Sequence, residues 1–310
     1  MKKEIPSNTK RLFILISIIS ISYISAQREP QYTQYINNTL TYNPAYISTQ
    51  EDVTITALGR IQWAGFNGAP NTYSFSAILP SIGKKLGTGL NITQDQIGAT
   101  KQTSISANFA YEIQLSPSIY TSFGSSIGGS FLNVNYDNGN SVNPNDPLLR
   151  NTNDFDPNFG FGVMTYTDNW YVGLSIPNFL RSNYYSTAES SLIDSDNLQF
   201  FIIGGYIFDI NDNIKFKPAI LSRITRELPV VVDYSANVLL NNKVTIGLSY
   251  RSSDIITGMF GIQLTNNFYV GYSYDRTISG LSGYNDGSNE IMLKFTIPTT
   301  IKTIKSPRFY

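Results

Sequence analysis

The chain has no cysteine and no histidine, and only 14% of its 310 residues are charged. Each absence removes a class of function. Without histidine there is no Ser-His-Asp triad, which weighs against the barrel lipases and acyltransferases, whose catalysis needs a histidine base. Without either residue there is no thiol nucleophile and no His/Cys metal site. A chain of this length that lacks disulfides has to rest on a large hydrogen-bonded architecture. Charge is balanced at 22 basic against 22 acidic residues, and it turns slightly acidic once the leader carrying Lys2, Lys3, Lys10 and Arg11 is set aside. Nothing in that balance is a footprint for nucleic acid. After residue 26 no stretch is apolar enough for a transmembrane helix.

Present instead are 21 Tyr, 18 Phe and 23 Gly. The leader has a basic start, an apolar run from Leu12 to Ile24, and Ser25-Ala26 before Gln27. These are the marks of an export signal over residues 1–26. The run is too short to span a bilayer comfortably, and no cysteine follows it for lipid attachment.

From Val53 a period of two sets in. Val53, Ile55, Ala57, Gly59, Ile61 and Trp63 share one face, and Thr54, Thr56, Leu58, Arg60 and Gln62 the other. After a Gly/Pro/Asn turn, Tyr73, Phe75, Ala77 and Leu79 resume the apolar face. Such alternation reads as strands with chemically different sides. It recurs over 87–94, 103–115, 118–134, 158–166, 169–176, 198–208, 214–224, 229–240, 244–251, 255–264, 268–275 and 290–297. Short turns at Asp168-Asn169, Asn211 to Asn213, Asn241-Asn242 and Asn266-Asn267 have hairpin chemistry. Longer polar stretches, 135–158, 178–197 and 276–288, read as loops. One such hairpin fits a soluble half-buried sheet equally well. About fourteen such strands in succession behind an export signal predict an all-β antiparallel transmembrane barrel over 53–297, apolar face to lipid. Short turns are then expected in the periplasm and long loops outside the cell. Tyr206, Tyr250, Tyr274 and Phe295 are expected in the interface girdles. Arginine at lipid-facing Val232 or Val270 is expected to cost far more than at inward Ser235 or Ser273.

Two stretches stand apart. Residues 27–52 are rich in rings and amides, with Tyr32, Tyr35, Tyr42 and Tyr46. Pro44 forbids one continuous helix there, so a helical turn near Tyr32 to Asn38 and an extended stretch after it are expected. The segment is expected to fold into the lumen as a plug, anchored by Tyr32, Tyr35, Asn43, Pro44 and Tyr46; a mobile periplasmic leader is the alternative. Arg60, Asp233, Arg251, Asp275, Glu290 and Lys294 have inward parity, pairing with one another, with water, or with the segment. The Asn/Asp-rich stretch Asn143 to Asp156 could ligate calcium, although such loops are mostly solvated turns. No cofactor is expected.

Several motifs carry a resemblance. Gln34-Tyr35, Asn43-Pro44-Ala45-Tyr46, Arg60-Ile61-Gln62-Trp63 and Gly68-Ala69-Pro70, then NPNDPLL (143–149), FGFGVMTYTDNWYVGLSIPN (159–178) and the final KSPRFY (305–310), resemble the PorP/SprF family. These are outer-membrane proteins of the Bacteroidota type IX secretion system. The likeness spans essentially the whole chain after the leader, with a tail over 298–310 and Tyr310 where the family often has Phe. It implies a non-enzymatic protein of the cell outer membrane, surrounded by its lipid. The implied partners are the C-terminal sorting domain of a large secreted adhesin and other secretion or gliding-motor components. The implied role is export or surface anchoring of that adhesin, in some species for gliding. A diffusion channel or hydrophobic-solute transporter on the same barrel is the competing reading.

Overall fold

The computed structural model describes residues 31–80, 86–135, 152–180, 198–226, 228–279 and 286–299. The strands are β1 (Val53–Ile61), β2 (Asn71–Leu79), β3 (Leu86–Ile97), β4 (Thr100–Ser116), β5 (Ile119–Val134), β6 (Thr152–Tyr166), β7 (Trp170–Ile176), β8 (Gln199–Tyr206) and β9 (Phe208–Asn211), followed by β10 (Ile214–Thr225), β11 (Val231–Leu240), β12 (Val244–Arg251), β13 (Ile255–Thr265), β14 (Phe268–Thr277) and β15 (Ser288–Ile297). Each pairs antiparallel with its sequence neighbour, except that β8 and β9 both lie on β10 as two parts of one stave. The ring closes where β15 meets β1, from Val53 opposite Ile297 to Ile61 opposite Asn289. The result is a closed barrel of fourteen staves.

The faces sort as the alternation requires. In β1, Thr54, Thr56, Leu58 and Arg60 point inward and are buried, while Ile61 is half exposed on the outer wall. Phe75, Phe109, Phe123, Phe161, Leu248 and Phe260 all stand on that outer wall. A continuous belt of exposed large apolar side chains is what lipid contact demands. Tyr250 and Tyr274 lie near the strand ends at one rim, and Tyr206 and Phe295 near those at the other, all on the outer face.

All the long connections and the 62–70 turn share one rim, called outer here; the Asn turns share the inner rim with both barrel termini. At the inner rim Thr299 donates from its N–H to Asp52 and from its hydroxyl to the Glu51 carbonyl. Asn241 (φ 50°) and Asn242 (φ 53°) adopt the left-handed conformation that a tight hairpin turn needs and asparagine tolerates. Loop length and rim do not correspond strictly. The β3–β4 turn at Gly98-Ala99 and the β12–β13 turn at Ser252–Asp254 are short and outer.

Three expectations need correction. The loop expected over 135–158 ends earlier, since β6 begins at Thr152, and Asp154 and Asp156 lie opposite Leu132 and Ser130 of β5. The calcium loop thus ends in a strand, and its 143–151 portion lies outside the described residues. Pro157 is tolerated because β7 pairs with β6 only from Phe161 onward, so its missing N–H breaks no ladder there. The stretch after Asn43 is not extended: Pro44–Thr49 is a 3-10 helix, preceded by a short one at Thr39–Thr41. Finally, Ser235 and Ser273 do not face open water. Both are buried, with the Ser235 hydroxyl 2.9 Å from that of Tyr35. An arginine at either position meets packed atoms, so inward substitution there is not cheap. The long stretch 181–197 and residues 280–285 lie outside the described residues.

Candidate functional site

Residues 31–50 make their contacts with the inward-facing side of the barrel, in three groups. Nearest the outer rim, the carboxylate of Glu290 accepts from the backbone N–H of Thr33 (2.9 Å) and of Gln34 (2.8 Å). The Thr33 hydroxyl lies 2.8 Å from both oxygens of Asp275 and accepts from Arg60 (2.9 Å). Arg60 also donates to Asp275 at 2.6 Å and to Glu290 at 3.3 Å. Thr257 donates to Asp275 from β13. Beside this group Arg251 donates to Asp233 at 2.5 Å and to the side-chain oxygen of Gln31 at 2.7 Å. All five charged residues are nearly or wholly buried. Burying such groups is tolerable only when each is paired and its remaining lone pairs are filled.

The middle group is aromatic. Tyr32, Tyr35 and Tyr42 form one buried cluster with Leu58, Met164, Phe201, Ile203, Leu221 and Met292 from the wall. Tyr42 accepts from the N–H of Tyr32 (3.1 Å), tilts against Phe201 at 5.2 Å, and its carbonyl accepts from Ser175 (2.7 Å). The segment's phenols lie outside the spanning strands; burial pushes those of Tyr32 and Tyr35 up, and that of Tyr42 up to about 12, so they stay neutral.

The third group seats the Asn-Pro turn. Asn43 caps the second 3-10 helix by accepting from the N–H of Ala45 (2.9 Å), and its amide nitrogen donates to the carbonyls of Val163 (3.2 Å) and Leu174 (3.4 Å). The wall is glycine where this turn lies. A methyl group on Gly124 would fall 2.1 Å from the Ala45 nitrogen, and one on Gly162 would fall 2.1 Å from the Asn43 side-chain oxygen. Close backbone approach, not a turn, explains these glycines. Further along, Ser48 meets the hydroxyls of Ser122 and Tyr166, each at 2.8 Å, and Tyr166 also bonds Glu112. Leu40 and Ile47 pack on Ile78 and Ala110.

Of the residues named from sequence, Tyr32, Tyr35, Asn43 and Pro44 are buried against the wall, and Tyr46 is half-buried between the two apolar clusters. Arg60, Asp275 and Glu290 come together, Asp233 and Arg251 form a pair beside them, and Lys294 sits apart, opposite Thr56 of β1. Sequence reasoning missed Gln31, Thr33, Gln34, Ser48, Ser175 and Tyr166. Inward-parity glycines in strands otherwise lined by Ser and Thr were the available signal for the Asn-Pro seat. Among the described residues no group of three or more His, Cys, Asp or Glu is placed to hold a metal.

The chain is similar to several solved channel and outer-membrane proteins. The monoaromatic hydrocarbon channel CymD superposes with a TM-score of 0.53 at 10% identity, covering 86% of this chain and 94% of its own. The P. putida toluene transporter TodX gives 0.49 at 10% identity over 86% and 95%, and the Acinetobacter baumannii outer membrane protein Omp33 gives 0.48 at 8% over 81% and 100%. At such identities the likeness to CymD speaks of the fold alone. No curated protein matches the chain in sequence. The family model for the type IX secretion system membrane protein PorP/SprF matches residues 24–295, which takes in the segment, its buried network and all but the end of the last strand. The chain is therefore an outer-membrane β-barrel belonging to the PorP/SprF family of type IX secretion system membrane proteins.

Proposed function

We propose that this protein performs no catalysis and instead binds the C-terminal sorting domain of a large partner adhesin, supporting its export or its retention at the cell surface. In cells that move on such an adhesin, gliding depends on it. In the same reading residues 31–50 plug the lumen and shape the surface that the cargo meets. The observation that carries this is the bonding of that segment to strands all around the ring: β1, β14 and β15 through Thr33, β11 through Tyr35, β6 and β7 through Asn43, and β5 through Ser48. A simple diffusion pore has no use for so many specific bonds across its bore.

The test is deletion of Gln31 to Ser48 in cells that carry the cognate adhesin. A plug that also shapes the cargo surface predicts new ion conductance in planar bilayers together with loss of adhesin from the cell surface, and loss of its sorting domain from pull-downs of outer membranes. Unchanged conductance with normal surface adhesin sinks both parts of the proposal. New conductance with normal surface adhesin leaves a plugged channel with no role in cargo handling.

A further inference from the structure

Every strand junction in the barrel but one is bridged by a connection of the chain. The exception is the seam between β1 and β15, whose residues are joined only through the whole length of the barrel. At its inner end the seam is tied by Thr299 to Glu51 and Asp52. At the outer rim Ala64 donates to the carbonyl of Gly287, which fixes the turns above the strands. Between them, on the inward face of the seam's outer half, Glu290 is wholly buried and Asp275 nearly so, with Arg60 as the cation between them. One guanidinium shared between two buried carboxylates leaves carboxylate oxygens that need further donors. Thr257 of β13 adds one donor to Asp275, and the others come from outside the strands: the N–H groups of Thr33 and Gln34 on Glu290, and the Thr33 hydroxyl on Asp275. Those two residues thus touch β1, β14 and β15 at once.

We propose that Thr33 and Gln34 are the closing element of the barrel, holding the outer half of the β1–β15 seam by completing the buried Arg60–Asp275–Glu290 group. The role does not depend on any cargo. It is also local. At the other wall Asn43 bonds β6 and β7, which the Thr167–Asn169 turn already joins, so a bond there adds little to a junction the chain itself maintains.

Hydrogen exchange read strand by strand on the purified, folded full chain tests this, because local opening of a junction appears as faster exchange at its own amides. Thr33→Val removes the hydroxyl and keeps the shape; Gln34→Pro removes one N–H donor. With either, the seam-facing amides of Gly59, Ile61, Asn289 and Ile291 should exchange about tenfold faster, as expected for the loss of one hydrogen bond to a charged group. Amides across the β4–β5 and β12–β13 junctions should keep the parent rate. Asn43→Ala should leave the seam at the parent rate. If Gln34→Pro does not accumulate as a folded barrel, Thr33→Val decides alone. Unchanged seam exchange overturns the proposal. So does an equal acceleration in every strand, since that marks general loss of stability.

Discussion

Asn43 shows how much one side chain can carry here. It caps a 3-10 helix and reaches two strands through the same amide. Asn43→Ala should cost about 0.5–2 kcal/mol, the usual range for a lost cap, as read by urea unfolding in detergent. Gly162→Val acts from the other side. Its branched side chain has no room beside Asn43, and the crowding should cost about 1–3 kcal/mol. If the two changes are combined, the penalty should fall below the sum, because alanine at 43 removes the atom that valine strikes. Full additivity would show that the contact does not govern either effect. Asn43, Tyr35 and the inward charges were legible because polar or bulky residues on a strand's inward parity, or in an irregular segment, need partners. Thr33 and Gln34 were not. Gln34 acts through its backbone N–H, which every residue but proline possesses. Thr33 acts through an N–H and a hydroxyl no different from those of the many other Ser and Thr residues, so residue type carried no signal.

At the level of the strand, most of the pattern could be read directly. β1, β2, β12 and β15 fall within a residue or two of the expected limits. The start of β6 was not legible, because TNDFDPN is rich in residues that disfavour strands. Pairing with β5 overrides that preference, with Phe155 against Phe131 at 4.8 Å between ring centres. The outer wall makes a quantitative prediction. Leu248 lies in the middle of β12 and is 66% exposed, so Leu248→Arg should cost about 2–4 kcal/mol in phospholipid vesicles. Val232 and Val270 lie within two residues of their strand ends, so arginine there should cost less, near the ~0–1 kcal/mol of the interface. Equal costs at all three positions would contradict a lipid-facing wall.

For the whole molecule, the arrangement of rims predicts an orientation. The chain has no native cysteine, so single introduced thiols report cleanly. Phe66→Cys and Ser253→Cys at the outer rim should label with an impermeant maleimide on intact cells, and Asn242→Cys and Asn267→Cys only after the outer membrane is breached. The reverse pattern would invert the barrel. Closure and the number of staves were within reach of the sequence because lipid makes a closed, alternating sheet the only strand architecture available. What occupies the interior was harder to read, because a lumen lined by Ser and Thr accepts water as readily as chain.

The bond between Thr33 and Glu290 joins residues 257 apart in sequence, and the bonds of Arg60 to Asp275 and Glu290 span 215 and 230. Contacts of such separation make folding slow, because the loop entropy is lost before the contact forms. Translation runs from the amino end, so Thr33 leaves the ribosome long before the strands that bind it exist. The residues made earliest are therefore the ones that wait longest for their places.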